Sequence, residues 1–423
     1  MPDRLIAPAI KPIEKLRLVN PAIVSLSNEI HMYQFVNPLQ SALKIDIVFN
    51  TGTASQAIPL TANTALRLLK EGTKSYPGNK FMSKIDYYGA FLNQNASKDD
   101  SVVSLLVLKK NFNATLPLLE SLFTEPTFSP DEFDQLRDIE REDYIIQNEK
   151  PKHIARKTIN ELVFGKETPY GRSANVTDYD NMQLEQLVDF FHDNYSSDNC
   201  KIILSGPVDD KILSILDKHL GKPWNTNGKR TDFVQDSKFN PELVHIVKDG
   251  ALQSAIQIGM PIMPRHHEDY IPFLLLNTVF GGYFGSRLMS NIREDKGYTY
   301  GIHSQLSTFL KGSIFTISTE AGTSVTNATL QEIQYEMHQL QHEHIQSEEL
   351  NLVKNYLTGS YMRSLDGVYN QAEKFKSIHG FGLEMDYYEK SLHRIQHTQP
   401  DELQSLAKKY LNYDAMTKVI VGA

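Results

Sequence analysis

The sequence predicts an α+β protein built from one unit used twice, each copy a largely antiparallel sheet packed against helices. Two observations carry this. Residues 39–49 read LQSALKIDIVF and residues 252–262 read LQSAIQIGMPI, a near repeat at an offset of 213 residues. In each copy strands come in runs and long helices follow as a group, the order of an α+β domain rather than of alternating βαβ units. The repeat extends further. Ile58-Pro59 returns as Ile271-Pro272, NATL at 113–116 returns at 327–330, and KIIL at 201–204 matches KVIV at 418–421. Four matches in order, at nearly constant separation, describe the tandem duplication of a whole domain, because the period is far longer than that of a solenoid.

The elements follow in order. Leu39, Leu43, Ile45, Ile47 and Phe49 recur at period two, as do Leu252, Ile256, Ile258, Met260 and Ile262, so both segments are expected as half-buried strands. A helix follows each, over about 59–70 and 272–280, then a second helix, then strands at VVSLLVL (102–108) and SIFTIS (313–318). Long amphipathic helices close each unit. PTFSPDEF (126–133) and IQSEEL (345–350) set a small polar residue before carboxylates, the mark of a helix start. Residues 221–242, GKPWNTNGKRTDFVQDSKFNPE, are polar and rich in Gly, Pro and Asn and read as a linker. The expected domains are therefore 1–220 and 243–423, with Trp224, the only tryptophan, anchoring the linker between them.

A chain of 423 residues is too long for one ordinary core, and 40% hydrophobic with 22% charged residues is a soluble, globular composition. The net charge of −8, without a long basic run, argues against nucleic acid. Cys200 is the single cysteine, so it forms no internal disulfide, and with Ile202, Ile203 and Leu204 beside it a buried strand position is expected. The N-terminal MPDRLIAPAIKP lacks the apolar region of a signal peptide, and no run of about 18 apolar residues occurs. Neither secretion nor a membrane span is indicated, and a cytoplasmic location is expected.

Chemistry concentrates in residues 281–301, GGYFGSRLMSNIREDKGYTYG. Two glycines lead into a short helix in which Phe284, Leu288, Met289 and Ile292 recur at roughly helical spacing, and Gly297 suits a left-handed C-terminus. Tyr298, Thr299 and Tyr300 then open a strand. Arg293 falls on the last helical turn and Tyr300 just inside the strand. On their own these residues have ordinary roles open to them: an arginine offsetting the helix dipole, a tyrosine packed with its hydroxyl satisfied. No phosphate-binding glycine motif is present.

The glycine loop, the helix start FGSRL, the IRE and the following Gly and Tyr resemble the second half of zinc peptidases of the insulinase, pitrilysin and mitochondrial processing peptidase family, the HxxEH or inverzincin peptidases. The resemblance covers nearly the whole chain and implies that residues at the positions of Arg293 and Tyr300 bind substrate at a zinc site held by a different domain. Members that cut peptides carry HxxEH on the first-half helix, two histidines gripping zinc and a glutamate activating water. Here, counting back from Gly72-Thr73, those positions hold Asn63, Leu66 and Arg67. An amide is a poor zinc ligand, leucine moves no proton and arginine repels a metal ion. The family's third ligand, a glutamate, falls on RDIEREDYIIQNEKP (137–151); the best register places Gln147 there, with Glu140, Glu142 or Glu149 in other registers.

Other metal or nucleophile sites are not indicated. His338, His342 and His344, and His393 and His397, have ligand-like spacing but lie on polar helices without a placed general base, and solvated faces are expected. Residues 89–103, GAFLNQNASKDDSVV, are similar to the family's edge strand that takes up substrate: Asn93, Ser97, Asp99 and Ser101 fit the pattern, while Gln94 and Ala96 depart from it.

The resemblance thus implies a non-catalytic subunit of a heterodimeric zinc metallopeptidase, closing like a clam around an unfolded peptide. Zinc belongs to an HxxEH-bearing homologous partner, with none in this chain, which contributes Arg293 and Tyr300. The alternative is an inactive homologue serving as a structural scaffold in a larger assembly. Whether the isolated chain is a monomer or a homodimer stays open.

Overall fold

The structure, a computed structural model, describes residues 16, 18–226, 228, 232–236 and 238–422. Two sheets form the frame. The first contains β1 (Ala22–Ser25), β2 (His31–Val36), β3 (Ala42–Phe49), β4 (Phe91–Ala96), β5 (Ser101–Leu108) and β6 (Cys200–Gly206), in the order β1-β2-β6-β3-β5-β4. The second contains β7 (Leu243–Val247), β8 (Gln253–Pro261), β9 (Thr299–Phe309), β10 (Gly312–Gly322) and β11 (Thr417–Gly422), in the order β7-β11-β8-β10-β9. With β1 set aside the two orders are the same, as the internal repeat requires. Among the described residues, β2 with β6 and β7 with β11 run parallel and the other pairs are antiparallel.

The repeated segments occupy equivalent places. The two LQSA segments lead into β3 and β8, KIIL and KVIV lie in β6 and β11, and the two NATL segments open the Phe112–Thr124 and Thr326–His342 helices. The expected helix starts lead into the Pro130–Asn148 and Ser347–Ser364 helices. Leu39 and Leu252 depart from expectation. Both stand just outside their strands and are 92% and 88% exposed, so neither joins the apolar face assigned to it.

Nor are β3 and β8 half-buried. One face of each meets its own half's helices through Leu43, Ile45, Ile47 and Phe49, or through Ile256, Ile258 and Met260. The other face is covered by a helix from the opposite half. The Pro151–Phe164 helix lays Ala155, Ile159 and Val163 on Ala255, Ile314, Val419 and Val421 of the second sheet. A Cβ at Gly259 would lie 3.1 Å from Cγ1 of Ile159, so the small residue sets how closely this helix approaches. In exchange, the Gly367–His379 helix lays Val368, Ala372, Phe375 and Ile378 on Phe35, Val48, Val102 and Ile203 of the first sheet. A strand buried on both faces removes more apolar area from water, at about 25 cal/mol per Å². The halves are therefore interlocked.

The two joints differ in polarity. Under the Gly367–His379 helix the carboxylate of Asp46, 1% exposed, lies 3.2 Å from the ammonium groups of both Lys44 and Lys376. It also accepts a hydrogen bond from Ser104, while Glu373 pairs with the same two lysines. A buried carboxylate is tolerated only with such partners. No such network lies under the Pro151–Phe164 helix among the described residues.

Residues 221–242 carry no helix or strand among those described. Trp224 is buried and stacks on Phe123, with ring centroids 5.7 Å apart, while Phe233 and Phe239 pack at the joint between halves. Cys200 is half-buried at the start of β6, and burial, followed by the nearby Asp198 charge, pushes its thiol up to about 12.

Candidate functional site

The Thr61–Leu69 helix begins after Leu60, whose φ of 76° is left-handed, and turns Ala62, Ala65, Leu66 and Leu69 into the first-half core. Asn63 and Arg67 lie on its exposed side, while Leu66 is 1% exposed. Opposite them, on the Pro130–Asn148 helix, stands Glu140. Its carboxylate accepts from Arg67 Nη1 at 2.8 Å and from Thr64 Oγ1 at 2.9 Å. Gln147, the best register for the third ligand, is instead exposed and accepts from Lys150. Two helical turns separate these positions, and only the packing of the two helices decides between them. A helical face was there to be read: Phe133, Leu136, Glu140 and Tyr144 recur at helical spacing.

These residues do not fit a zinc ion. The guanidinium of Arg67 already holds the Glu140 carboxylate, so a fixed organic cation meets the charge a metal would meet. Among the described residues no group of three or more His, Cys, Asp or Glu is placed to hold a metal. The histidine helices are solvated faces. His338 stacks on His342 at 3.9 Å and His393 on His397 at 4.0 Å, all four exposed, and His344 pairs with exposed Asp401.

The edge-strand segment is divided. β4 is an outer strand of its sheet and Asn93 points to solvent. Ser97 turns the β4–β5 hairpin by bonding Asp100 at 2.7 Å, and Ser101 is buried against the Tyr195 hydroxyl at 3.2 Å. Asp99 accepts from the Tyr170 hydroxyl and, at 2.8 Å, from the Leu310 backbone N–H, tying the hairpin to the second half. Gln94 turns its amide nitrogen inward, where it is buried without a partner.

In the second half the matching region is open. The Tyr270–Asn277 helix continues as a π-helix over Thr278–Gly282, and a second π-helix runs from Met289 to Asp295. The expected short helix is thus wider than an α-helix: the Lys296 N–H bonds the Asn291 carbonyl at 3.0 Å. Such wide turns recur where side chains are re-aimed for function. Leu288, Met289 and Ile292 are buried as expected, but Phe284 is 65% exposed. Gly297, at φ 66°, ends the turn in the left-handed region where a Cβ is disfavoured.

This backbone brings Arg293 and Tyr300 together. The Arg293 guanidinium carbon lies 4.8 Å from the Phe284 ring centroid and 5.9 Å from that of Tyr300. Its nearest carboxylate is Glu294, at 3.7 Å, too far for a hydrogen bond. Tyr300 is 90% exposed, and its hydroxyl bonds no described residue, so a packed, satisfied tyrosine is ruled out. Stacking fixes the plane of the guanidinium and leaves its N–H edge free.

Beside the pair lies a cavity of about 610 Å³, lined by Tyr300, Gly281, Gly282, residues of β8, β9 and β10, and Lys152 from the first half. Its lining was not legible in the sequence, because register rather than spacing assembles it. The signal, in retrospect, is polar residues in apolar strands, such as Gln257 and Ser318.

Comparison with known proteins gives a consistent picture. Residues 40–178 match the family described as Insulinase (Peptidase family M16), and residues 181–357 match Peptidase M16 inactive domain. A Bacillus subtilis protein named uncharacterized zinc protease YmxG is 24% identical over 336 residues, 78% of this chain and 81% of its own length. A Helicobacter pylori protein named non-peptidase homolog YmxG is 22% identical over 364 residues, 84% and 83% of the two chains. Among solved structures, a peptidase M16 inactive domain from Pseudomonas fluorescens superposes with a TM-score of 0.86 at 21% identity, covering 96% of this chain and 98% of its own. A Helicobacter pylori protease superposes at 0.87 with 17% identity, covering 96% and 100%. These structural likenesses show the fold.

Proposed function

The chain belongs to the insulinase family of peptidases, peptidase family M16, as an inactive homologue, and from that premise we propose that it is the non-catalytic subunit of a two-chain zinc endopeptidase. It lends Arg293 and Tyr300 to the active site of a homologous partner that carries HxxEH and cleaves unfolded peptides. The observation that carries this reading is the state of the pair: an arginine stacked and oriented without a bonded carboxylate, beside a tyrosine hydroxyl in solvent. Folding alone gives no reason for an exposed aromatic and an unbonded guanidinium side by side, whereas binding a peptide carbonyl or carboxylate does. The guanidinium fork grips substrate in ground and transition states alike, and the Tyr300 hydroxyl donates to the oxygen on which negative charge develops.

The test is turnover of an unfolded peptide by the chain reconstituted with an HxxEH-bearing homologue. Arg293→Ala is expected to raise KM with kcat little changed, since it removes an interaction made equally in the ground and transition states. Equal kinetics for wild type and variant leave the chain a scaffold, even where the heterodimer forms.

A further inference from the structure

The cavity beside Tyr300 has a floor whose chemistry is specific. Gln257, Ser318 and His303 are cross-strand neighbours on β8, β10 and β9 and share one face of the sheet. Ser318 Oγ donates to Gln257 Oε1 at 2.7 Å, which leaves the two Gln257 amide hydrogens for the cavity. The His303 ring bonds no described residue. Burial, followed by the Lys152 charge, holds its pKa below the ordinary value, so the imidazole is neutral at pH 7, one nitrogen donating and the other accepting. The two formal charges of the lining, Lys152 and Glu320, face each other at 3.7 Å. The site therefore offers donors and acceptors together and no net charge.

Resting on the reading of Arg293 and Tyr300 as substrate-binding groups, we propose that this cavity is a specificity subsite for a side-chain amide, glutamine or asparagine, of the bound peptide. An aliphatic side chain leaves the Gln257 and His303 hydrogen-bonding groups without partners, and at Gln257, which is buried, such a loss is costly. A carboxylate meets Lys152 and Glu320 together, as does an ammonium, so neither ion recovers its lost hydration. An amide accepts from Gln257 while donating to His303, and is neutral throughout.

The experiment titrates the full-length chain with fluorescent nonapeptides in which Gln, Asn, Leu, Glu or Lys occupies each position in turn, followed by anisotropy. At one position Gln or Asn is expected to bind on the order of tenfold tighter than the other three. Gln257→Leu, which keeps the length and removes the donors, is expected to bring that preference to within about twofold. His303→Leu, on the outer strand β9, is expected to lower it in the same direction. Absence of amide preference at every position, absence of binding, or a preference that survives both substitutions overturns the proposal. The two proposals fail separately: Tyr300→Phe is expected to leave the amide preference intact while lowering turnover of the complex. A preserved preference with unchanged turnover refutes the lent-residue reading alone, and lost turnover without any preference refutes the subsite alone.

Discussion

The first and second halves began as one unit and have diverged at equivalent places. In the first, the helix bearing Asn63, Leu66 and Arg67 is closed against its neighbour: Glu140 is 8% exposed and fully engaged by Arg67 and Thr64. In the second, Tyr300 faces solvent beside a polar cavity, with the half-buried Arg293 guanidinium near its ring. The difference teaches how a buried carboxylate can be kept beside a helix without a metal ion. A buried carboxylate needs a cation, and the Arg67 guanidinium supplies one permanently. The joints diverge likewise, one resting on a buried network of Asp46, Lys44, Lys376 and Glu373, the other on apolar contacts with the exposed Lys152–Glu320 pair at the margin.

Substitutions at the closed site sharpen the contrast. Leu66→Glu sets a carboxylate in the first-half core, and a loss of about 3–5 kcal/mol in urea unfolding is expected for an uncompensated buried charge. Asn63→His, on the exposed side of the same helix, is expected to change stability by less than about 0.5 kcal/mol. Arg67→Ala strands the Glu140 carboxylate. Because the guanidinium is 57% exposed, the expected loss is about 2 kcal/mol, below that of a fully buried pair. Adding Glu140→Leu is expected to restore part of it, and a double variant less stable than Arg67→Ala alone breaks the charge-replacement account.

A smaller effect separates the joints by pH. Burial, followed by the Lys201 charge, holds His379 at about 4, where its ring accepts or donates to the Tyr33 hydroxyl at 2.8 Å. Its folded pKa is below the unfolded value, so its stabilisation is present above about 6.5 and lost as pH falls toward 4. Burial raises the Glu373 carboxyl, but bonds from Lys376 and Lys44 outweigh it and hold the pKa below the ordinary value, so this contribution is lost at still lower pH. Melting temperatures between pH 7 and 4 are expected to fall, and His379→Gln to flatten the slope. Ile159→Ala, in the apolar joint, is expected to lower stability about equally at every pH. A slope unchanged by His379→Gln removes the distinction.

The duplicated strands and the positions of Arg293 and Tyr300 were legible because alternation and motif are local. The second face of β3 was not. Lys44 and Asp46 alternate like solvent-facing residues, and only the Gly367–His379 helix from the other half explains their burial. The π-helix over Met289–Asp295 was hidden for another reason, since the same apolar residues serve an α-helix and a wider turn. That Glu140 rather than Gln147 faces Arg67 depends on helix-to-helix approach, which leaves no mark in spacing. The exposure of Phe284 was missed with it: its partner is the Arg293 guanidinium rather than the core.

The division of labour between halves is tested most directly by one crossed measurement on the reconstituted complex, melting temperature and peptide turnover recorded for Arg67→Ala and Tyr300→Phe side by side. Tyr300→Phe is predicted to lower turnover by about 10²–10³ with an unchanged melting temperature, the loss of one donor to a developing oxyanion. Arg67→Ala is predicted to lower the melting temperature and leave turnover intact at temperatures where it stays folded. Turnover that follows Arg67 and ignores Tyr300 contradicts the account.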